Sequence, residues 1–222
     1  MKVIKSMTRL APAILLCLTS FLLTGCWDRT EVNDMAIITG AGLDKVSDDE
    51  LELSVSVYVP KGGGGQSGSS SGGGSSEGSS PQVLVRSAEG KTIADAMSTL
   101  QQKFPRHLFW GHTTVFIISQ ELAEEGILQK MDFILRHPQV RERTNIFISK
   151  QKAKELLALQ PPLERDLSEV LRELANLKIG MNVTTKDLAQ MTIGDSHAVA
   201  VPYIEMLPPE GDLKGNQTIA NI

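Results

Sequence analysis

The sequence predicts an α+β fold in which helices pack on a mixed or antiparallel sheet, and three observations carry that prediction. Residues Leu51 to Val59 alternate apolar and polar side chains with a period of two, the pattern of a strand with one face on a core. From Thr92 onward, Ile93, Ala96, Met97, Leu100 and Phe104 recur at helical spacing until Pro105 ends the run. Downstream, strand-like and helix-like segments alternate without the regularity of a parallel βαβ array, which favours α+β over a doubly wound sheet.

Composition bounds the rest. With 222 residues, 41% of them hydrophobic and 22% charged, the chain can bury one sizeable core, and a mainly disordered protein is excluded. Aromatic residues make up only 5%, so that core is built from Leu, Ile, Val, Ala and Met. Cys17 and Cys26 lie too early in the chain to staple a fold, which excludes a disulfide scaffold.

The first element is a targeting segment. Lys2, Lys5 and Arg9 form a basic n-region ahead of an apolar stretch from Leu10 to Leu23, shorter than the ~20 residues a membrane-spanning helix needs. The stretch ends in Leu23-Thr24-Gly25-Cys26, which resembles a lipobox, where a bacterial lipoprotein receives diacylglycerol on the cysteine and is cleaved before it. Residues 1–25 are therefore read as a lipoprotein signal peptide, and the mature chain as starting at lipidated Cys26. Two acyl chains give stable membrane attachment where one is marginal. Removing Lys2, Lys5 and Arg9 and no acid moves the formal charge from −4 to −7. Such an acidic surface disfavours nucleic acid and leaves membrane attachment to the acyl chains.

The mature chain then reads as follows. Ala36 to Leu43 is β-rich, and the polar turn Ser47 to Glu50 leads into the alternating strand from Leu51. Residues 61–80 hold about half of the chain's 19 glycines and little that can be buried, so they read as a disordered Gly/Ser loop at the tip of a hairpin that resumes with Val83, Leu84 and Val85. No Gly-Lys-Ser/Thr follows those glycines, which excludes a phosphate-binding loop. After the helix at Thr92 come a strand from Thr113 to Ser119, helical segments at Gln120–Glu125 and Leu128–Arg136, a strand from Asn145 to Ser149 and a helix from Gln151 to Leu159. Leu163, Leu167, Val170, Leu171, Leu174 and Leu177 form an amphipathic stripe read as packed within the domain. Thr184 or Thr185 caps a short helix through Met191, Ala198 to Met206 is β-like, and Gly215 to Ile222 resembles an interrupted strand.

No constellation specifies a reaction. His107 and His112 stand five apart around a strand start, which does not place them on one helix face as metal ligands. Asp195-Ser196-His197 has the residue types of a hydrolase triad, but consecutive residues cannot form the relay, and no Gly-x-Ser-x-Gly elbow is present. Neither a metal nor a cofactor is expected. An exported enzyme acting on wall material would need a placed acid pair or metal set.

A series of spaced segments carries a resemblance. It comprises Cys26-Trp27-Asp28-Arg29-Thr30-Glu31 with Asn33-Asp34, Gly42-Leu43-Asp44, Gly90-Lys91-Thr92-Ile93 with Ala96, and Phe109-Trp110-Gly111-His112. It continues with Asp132-Phe133 and Arg136, then Lys150 with Ala153 and Leu156-Leu157. In this order they resemble the N-terminal domain of the Ger(x)C family, the lipoprotein C subunits of nutrient germinant receptors of endospore-forming bacteria. The resemblance implies a Ger(x)C-like N-terminal domain at 26–207, with residues 208–222 as the start of a truncated following segment. It also implies a non-enzymatic, lipid-anchored subunit on the outer face of the spore inner membrane, joined with A and B membrane subunits to trigger germination by nutrients. The alternative is a substrate-binding lipoprotein serving a membrane transporter. Cys26 is the lipidation site under this reading. Trp27, Asp28 and Glu31 are candidates for docking to the membrane subunits, since Trp suits the bilayer interface, against the simpler reading that they nucleate the first strand. Gly111 and His112 are candidates for a further contact, against a tight strand entry with a hydrogen-bonded histidine.

Overall fold

The computed structural model describes Pro12, Thr19 and residues 31–59, 83–161, 163–178, 180–194, 198–207 and 218–221. Two units are distinguished, residues 1–34 and 35–222. In the first, Val32–Asp34 forms a 3-10 turn closed by the N–H of Asp34 on the carbonyl of Glu31 at 3.0 Å.

The second unit is built on one mixed sheet. Its strands are β1 (Met35–Lys45), β2 (Leu51–Tyr58), β3 (Val83–Gly90), β4 (His107–Phe109), β5 (Val115–Ser119), β6 (Asn145–Ser149), β7 (Tyr203–Leu207) and β8 (Thr218–Asn221). The helices are α1 (Ile93–Gln102), α2 (Gln120–Glu124), α3 (Ile127–Arg136), α4 (Ala153–Leu157), α5 (Leu167–Asn176) and α6 (Thr185–Ile193). Across the sheet the order is β3-β2-β1-β5-β6-β7-β8, with β4 beside the start of β1. The hairpin read at either side of residues 61–80 is present: β2 and β3 pair antiparallel from Tyr58 with Val83 to Leu51 with Gly90. β1, β5, β6 and β7 run parallel, so a parallel centre stands between antiparallel edges. This is the mixed-sheet α+β arrangement that the sequence predicts.

Helices cover both faces. On one, α1, α3 and α6 close over Ile38, Leu43, Leu53, Val55, Phe116, Ile118 and Ile146. On the other, α4 and α5 pack against Val115, Ile117, Phe147 and Ile204. Strands buried on both sides read as continuous apolar runs, and every residue of β5 is indeed buried.

The two-sided cover has a consequence for β2. Its alternation places Leu53, Val55 and Val57 in the larger core as expected, yet Ser54 and Ser56 on the opposite face are just as buried. They lie beside Gly42 and Gly40 of β1, and these four small residues let the helices approach the sheet backbone. A Cβ on Gly42 would stand 2.7 Å from that of Ala153, and one on Gly40 would stand 2.0 Å from Oγ of Ser168.

Two expectations are refined at the stripe beginning with Leu163. Asp166 caps α5 by accepting the N–H of Glu169 at 2.9 Å, so the helix starts after Leu163, which is 91% exposed. Leu167, Leu171 and Ala175 face the core, while Leu177, past the helix end, is exposed.

Candidate functional site

Among the described residues, several of the segments that carry the resemblance meet in pairs as fold contacts. Gly42-Leu43-Asp44 ends β1 directly beneath the start of α4. There the carboxylate of Asp44 accepts the N–H of Ala153 at 2.7 Å and of Lys154 at 3.0 Å, satisfying donors that a helix start leaves unpaired. Ala153, Leu156 and Leu157 are all buried against the sheet beside Gly40 and Gly42. Two segments more than a hundred residues apart thus form one joint.

Gly90 and Ala96 form a second. Gly90 ends β3, and a Cβ there would come within 2.4 Å of the Ala96 nitrogen, so the strand must end in glycine for α1 to fold back onto it. Thr92 then caps α1 by accepting the N–H of Asp95 at 3.2 Å, and Asp95 accepts the N–H of Lys91 at 3.1 Å.

Phe109-Trp110-Gly111-His112 forms the short β4 and a 3-10 turn, where the sequence reading placed only the approach to a strand. Trp110 is buried and stacks on Phe116, with ring centroids 6.5 Å apart and planes within 9°. Its backbone N–H is held by Oε1 of Gln139 at 3.1 Å. Gly111 is buried against the Phe109 ring, 2.5 Å from where its Cβ would stand, and so serves packing. His112 points its side chain outward and makes no hydrogen bond or ion pair among the described residues. His107, in β4, is also exposed.

A third histidine, His137, is read from the sequence as a satisfied or partly exposed residue at a helix stop, and it is the more constrained one. The ring of His137 lies 6.2 Å from that of Trp110 and 6.0 Å from that of Phe133, and its Nδ1 accepts the N–H of Gln139 at 3.3 Å. Burial among these rings holds its pKa below the ordinary 6.5, because the charged imidazolium would lose water there. The neighbouring segment residues Asp132 and Arg136 form an exposed i,i+4 ion pair at 2.9 Å.

Of the other candidates, Glu31 is exposed, and Cys26, Trp27 and Asp28 lie outside the described residues, as do Asp195, Ser196 and His197. No group of three or more His, Cys, Asp or Glu able to hold a metal ion occurs among the described residues. Among the described residues, a groove of about 270 Å³ lies between α3 and α6, lined by Ile134, Leu135, Val140 and Ala189 and by the exposed Arg141, Glu142 and Lys186. Its chemistry is that of binding: apolar side chains with charged ones among them. No helix among the described residues is long and apolar enough to cross a membrane.

Comparison with known proteins identifies the family. Residues 28–206 match the family described as the spore germination protein N-terminal domain. The chain is 34% identical over 162 residues to the putative spore germination protein YfkR of Bacillus subtilis (strain 168), covering 73% of this chain and 40% of that one. It is 32% identical over 216 residues to spore germination protein KC of the same organism, covering 94% of this chain and 51% of that protein. Spore germination protein GerQC of Bacillus cereus is 24% identical over 173 residues, covering 78% of this chain and 44% of that one. The chain therefore spans about half or less of the length of these curated relatives. No solved structure matches. The joints at Asp44, Gly90 and Trp110 all lie inside the matched stretch, and the chain belongs to the Ger(x)C family of spore germination proteins, whose N-terminal domain it carries.

Proposed function

We propose that this chain is a lipid-anchored, non-enzymatic subunit of a spore nutrient germinant receptor. Under this reading it sits on the outer face of the spore inner membrane and works with A- and B-type membrane subunits. The observation that carries the reading is the order of features in the chain: an export signal ending in Leu23-Thr24-Gly25-Cys26, then at once a germination-protein domain matched from residue 28. Diacylglycerol on Cys26 supplies the membrane attachment, by roughly 0.8 kcal/mol per buried methylene. Trp27, Asp28 and Glu31 follow the anchor directly and are the first candidates for docking at the bilayer surface; His112, exposed beside buried Trp110, is a second.

Spores carrying the wild-type gene, a deletion or Cys26→Ala test the reading, each challenged with nutrients and with a trigger that bypasses nutrient receptors. Loss confined to the nutrient response in both mutants is the expected result. Equal loss with both triggers moves the protein downstream of sensing, and saturable binding of a small molecule by the purified soluble part favours a transporter's binding lipoprotein. A Trp27→Ala protein that stays folded and membrane-bound but loses its partners supports docking through that residue.

A further inference from the structure

The sheet gives the second unit two ends, and covalent length decides which of them a membrane anchor can bring to a bilayer. β1 is an 11-residue strand, Met35–Lys45, rising ~3.3 Å per residue, so its ends stand roughly 33 Å apart. The turn with Asp48 and Asp49 lies beyond the later end. Nine peptide steps separate Cys26 from Met35, and fully extended they reach about 30 Å. The 3-10 turn at Val32–Asp34 rises only ~2 Å per residue and shortens that reach further. Standing the unit with the Asp48–Asp49 turn against the bilayer would lift Met35 beyond what the link to Cys26 allows, however that link is arranged.

The end where β1 starts carries the apolar side chains that a position at the bilayer uses. Ile38 pairs with Val57, so Tyr58 and Val59 lie beside the start of β1, and Val59 is 42% exposed. The guanidinium of Arg165 stands 5.6 Å from the centre of the Tyr58 ring, which brings the loop before α5 to this same end. Two residues earlier in that loop Leu163 is 91% exposed, more than any other large apolar residue described. A single exposed leucine is ordinary; this one shares its end with Val59 and with the strand that follows the anchor. Its neighbours Glu164 and Arg165 carry opposite charges, and Arg165 is paired with Glu169 at 3.0 Å, so the contact this loop offers is apolar and not cationic. The far turn is opposite in kind, with Asp48, Asp49 and Glu50 exposed in succession.

We infer that the end of the sheet where β1 starts rests on the lipid bilayer, with Leu163 and Val59 entering its interface. The partner is a lipid surface, because the covalent link to two acyl chains by itself brings lipid within reach of this end. Burying Leu163 there removes apolar surface from water and fixes the orientation of a domain that attachment at one point would leave free to turn. The inference rests on the lipid-anchor reading of Cys26 and adds to it how the domain stands on the membrane.

Without residues 1–25 the chain has no cysteine but Cys26, so Leu163→Cys, Val59→Cys and Asp49→Cys each give the mature, lipidated chain one free thiol for an environment-sensitive fluorophore. All three positions are exposed, so labelling leaves the fold in place. The labelled chains are reconstituted in vesicles of phosphatidylglycerol and phosphatidylethanolamine, with and without lipid that carries a nitroxide quencher. The expected result is blue-shifted emission at 163 and 59 that the nitroxide lipid quenches, emission at 49 like that of the label in water, and the same pattern at high salt. Water-like emission at 163 or at 59, quenching at 49, or quenching that salt abolishes overturns the inference. Shielding at 163 that the nitroxide lipid leaves unquenched means contact with protein and overturns it too. A wild-type chain absent from the membrane fraction removes the anchor reading together with the inference, whereas an anchored chain with water-like emission at 163 removes the inference alone.

Discussion

The carboxylate of Asp44, at the end of β1, takes the N–H groups of both Ala153 and Lys154 and so fixes α4 to the strand from the opposite half of the sequence. Asp44 is 1% exposed, a buried acid held by two backbone donors. Burial raises its pKa above the ordinary 3.8, and the hydrogen bonds from Lys154 and Ala153 offset part of that rise.

Asp44→Ala leaves two N–H groups without their acceptor and is expected to cost at least about 2 kcal/mol of unfolding free energy in a urea titration. Asp44→Asn, which keeps one acceptor oxygen, costs less. The sign of the pH dependence is a sharper check. Between 3.8 and the raised folded value the native state holds the proton that the unfolded chain releases, so lowering the pH through this window adds stability. Wild type should therefore gain on Asp44→Asn as the pH falls toward 4. A gap that stays constant with pH would show that Asp44 is not the buried acid described.

The small-residue seam makes a second prediction. A methyl on Gly40 drives into Oγ of Ser168, so Gly40→Ala is expected to destabilise by about 1–3 kcal/mol. The Ser168 hydroxyl is buried with no hydrogen-bond partner, so Ser168→Ala alone should stay within about 0.5 kcal/mol of wild type or exceed it. Removing the oxygen relieves the closest contact, and the double variant should recover about 1 kcal/mol of the Gly40→Ala loss. Strict additivity in this double-mutant cycle would mean that the two residues do not meet.

His137 gives a third. Its folded pKa lies below the 6.5 of an unhindered imidazole because of burial, so above 6.5 both states are neutral and its contribution is fully present. As the pH falls below 6.5 the unfolded chain takes up the proton first, and stability is lost until the folded group titrates too. Protonation also turns Nδ1 from the acceptor of the Gln139 N–H into a donor facing it. Thermal melts from pH 8 to 5 should show wild type losing more than His137→Gln. Parallel curves would remove the histidine as the cause.

What could be read from the sequence was what is decided locally. The Thr92 cap and the strand Asn145–Ser149 follow from neighbours within a few residues and stand where the pattern puts them, while α1 ends at Gln102, short of Phe104 and Pro105. The burial of Ser54 and Ser56 could not be read that way, because the helices that cover them begin about a hundred residues later. Gly40 and Gly42 read as part of a β-rich stretch, and their need to lack a side chain appears only when Ser168 and Ala153 arrive. β4 is three residues long, too short for any periodicity. The same limit hid the groove: Arg141 and Lys186 are unremarkable surface charges until the Thr185 to Arg141 hydrogen bond brings them together. The candidate site was legible as motif segments, but their pairing with one another was not.

The cap of α6 offers the last test, because it is the counterpart of Asp44 with the opposite sign. The Thr184 side chain accepts the N–H of Asp187 at 3.3 Å while the Asp187 carboxylate takes the N–H of Thr184 at 2.9 Å, a reciprocal capping box. The Thr184 hydroxyl also donates to that carboxylate at 2.7 Å, and with the N–H it holds the pKa of Asp187 below the ordinary 3.8. The stability Asp187 contributes is thus present above 3.8 and lost as the pH falls through its lower folded value, whereas that of Asp44 changes the other way. Thr184→Ala removes the two hydrogen bonds of the hydroxyl, one of them the cap bond from Asp187, and should cost about 1 kcal/mol at neutral pH. Because α6 forms one wall of the groove, fraying its first turn also loosens Lys186 from Glu142. Hydrogen exchange at the Lys186 and Leu188 amides should accelerate in Thr184→Ala while that of β5 stays slow. Faster exchange spread evenly over the sheet would mean that the cap supports the whole domain and not the groove wall in particular.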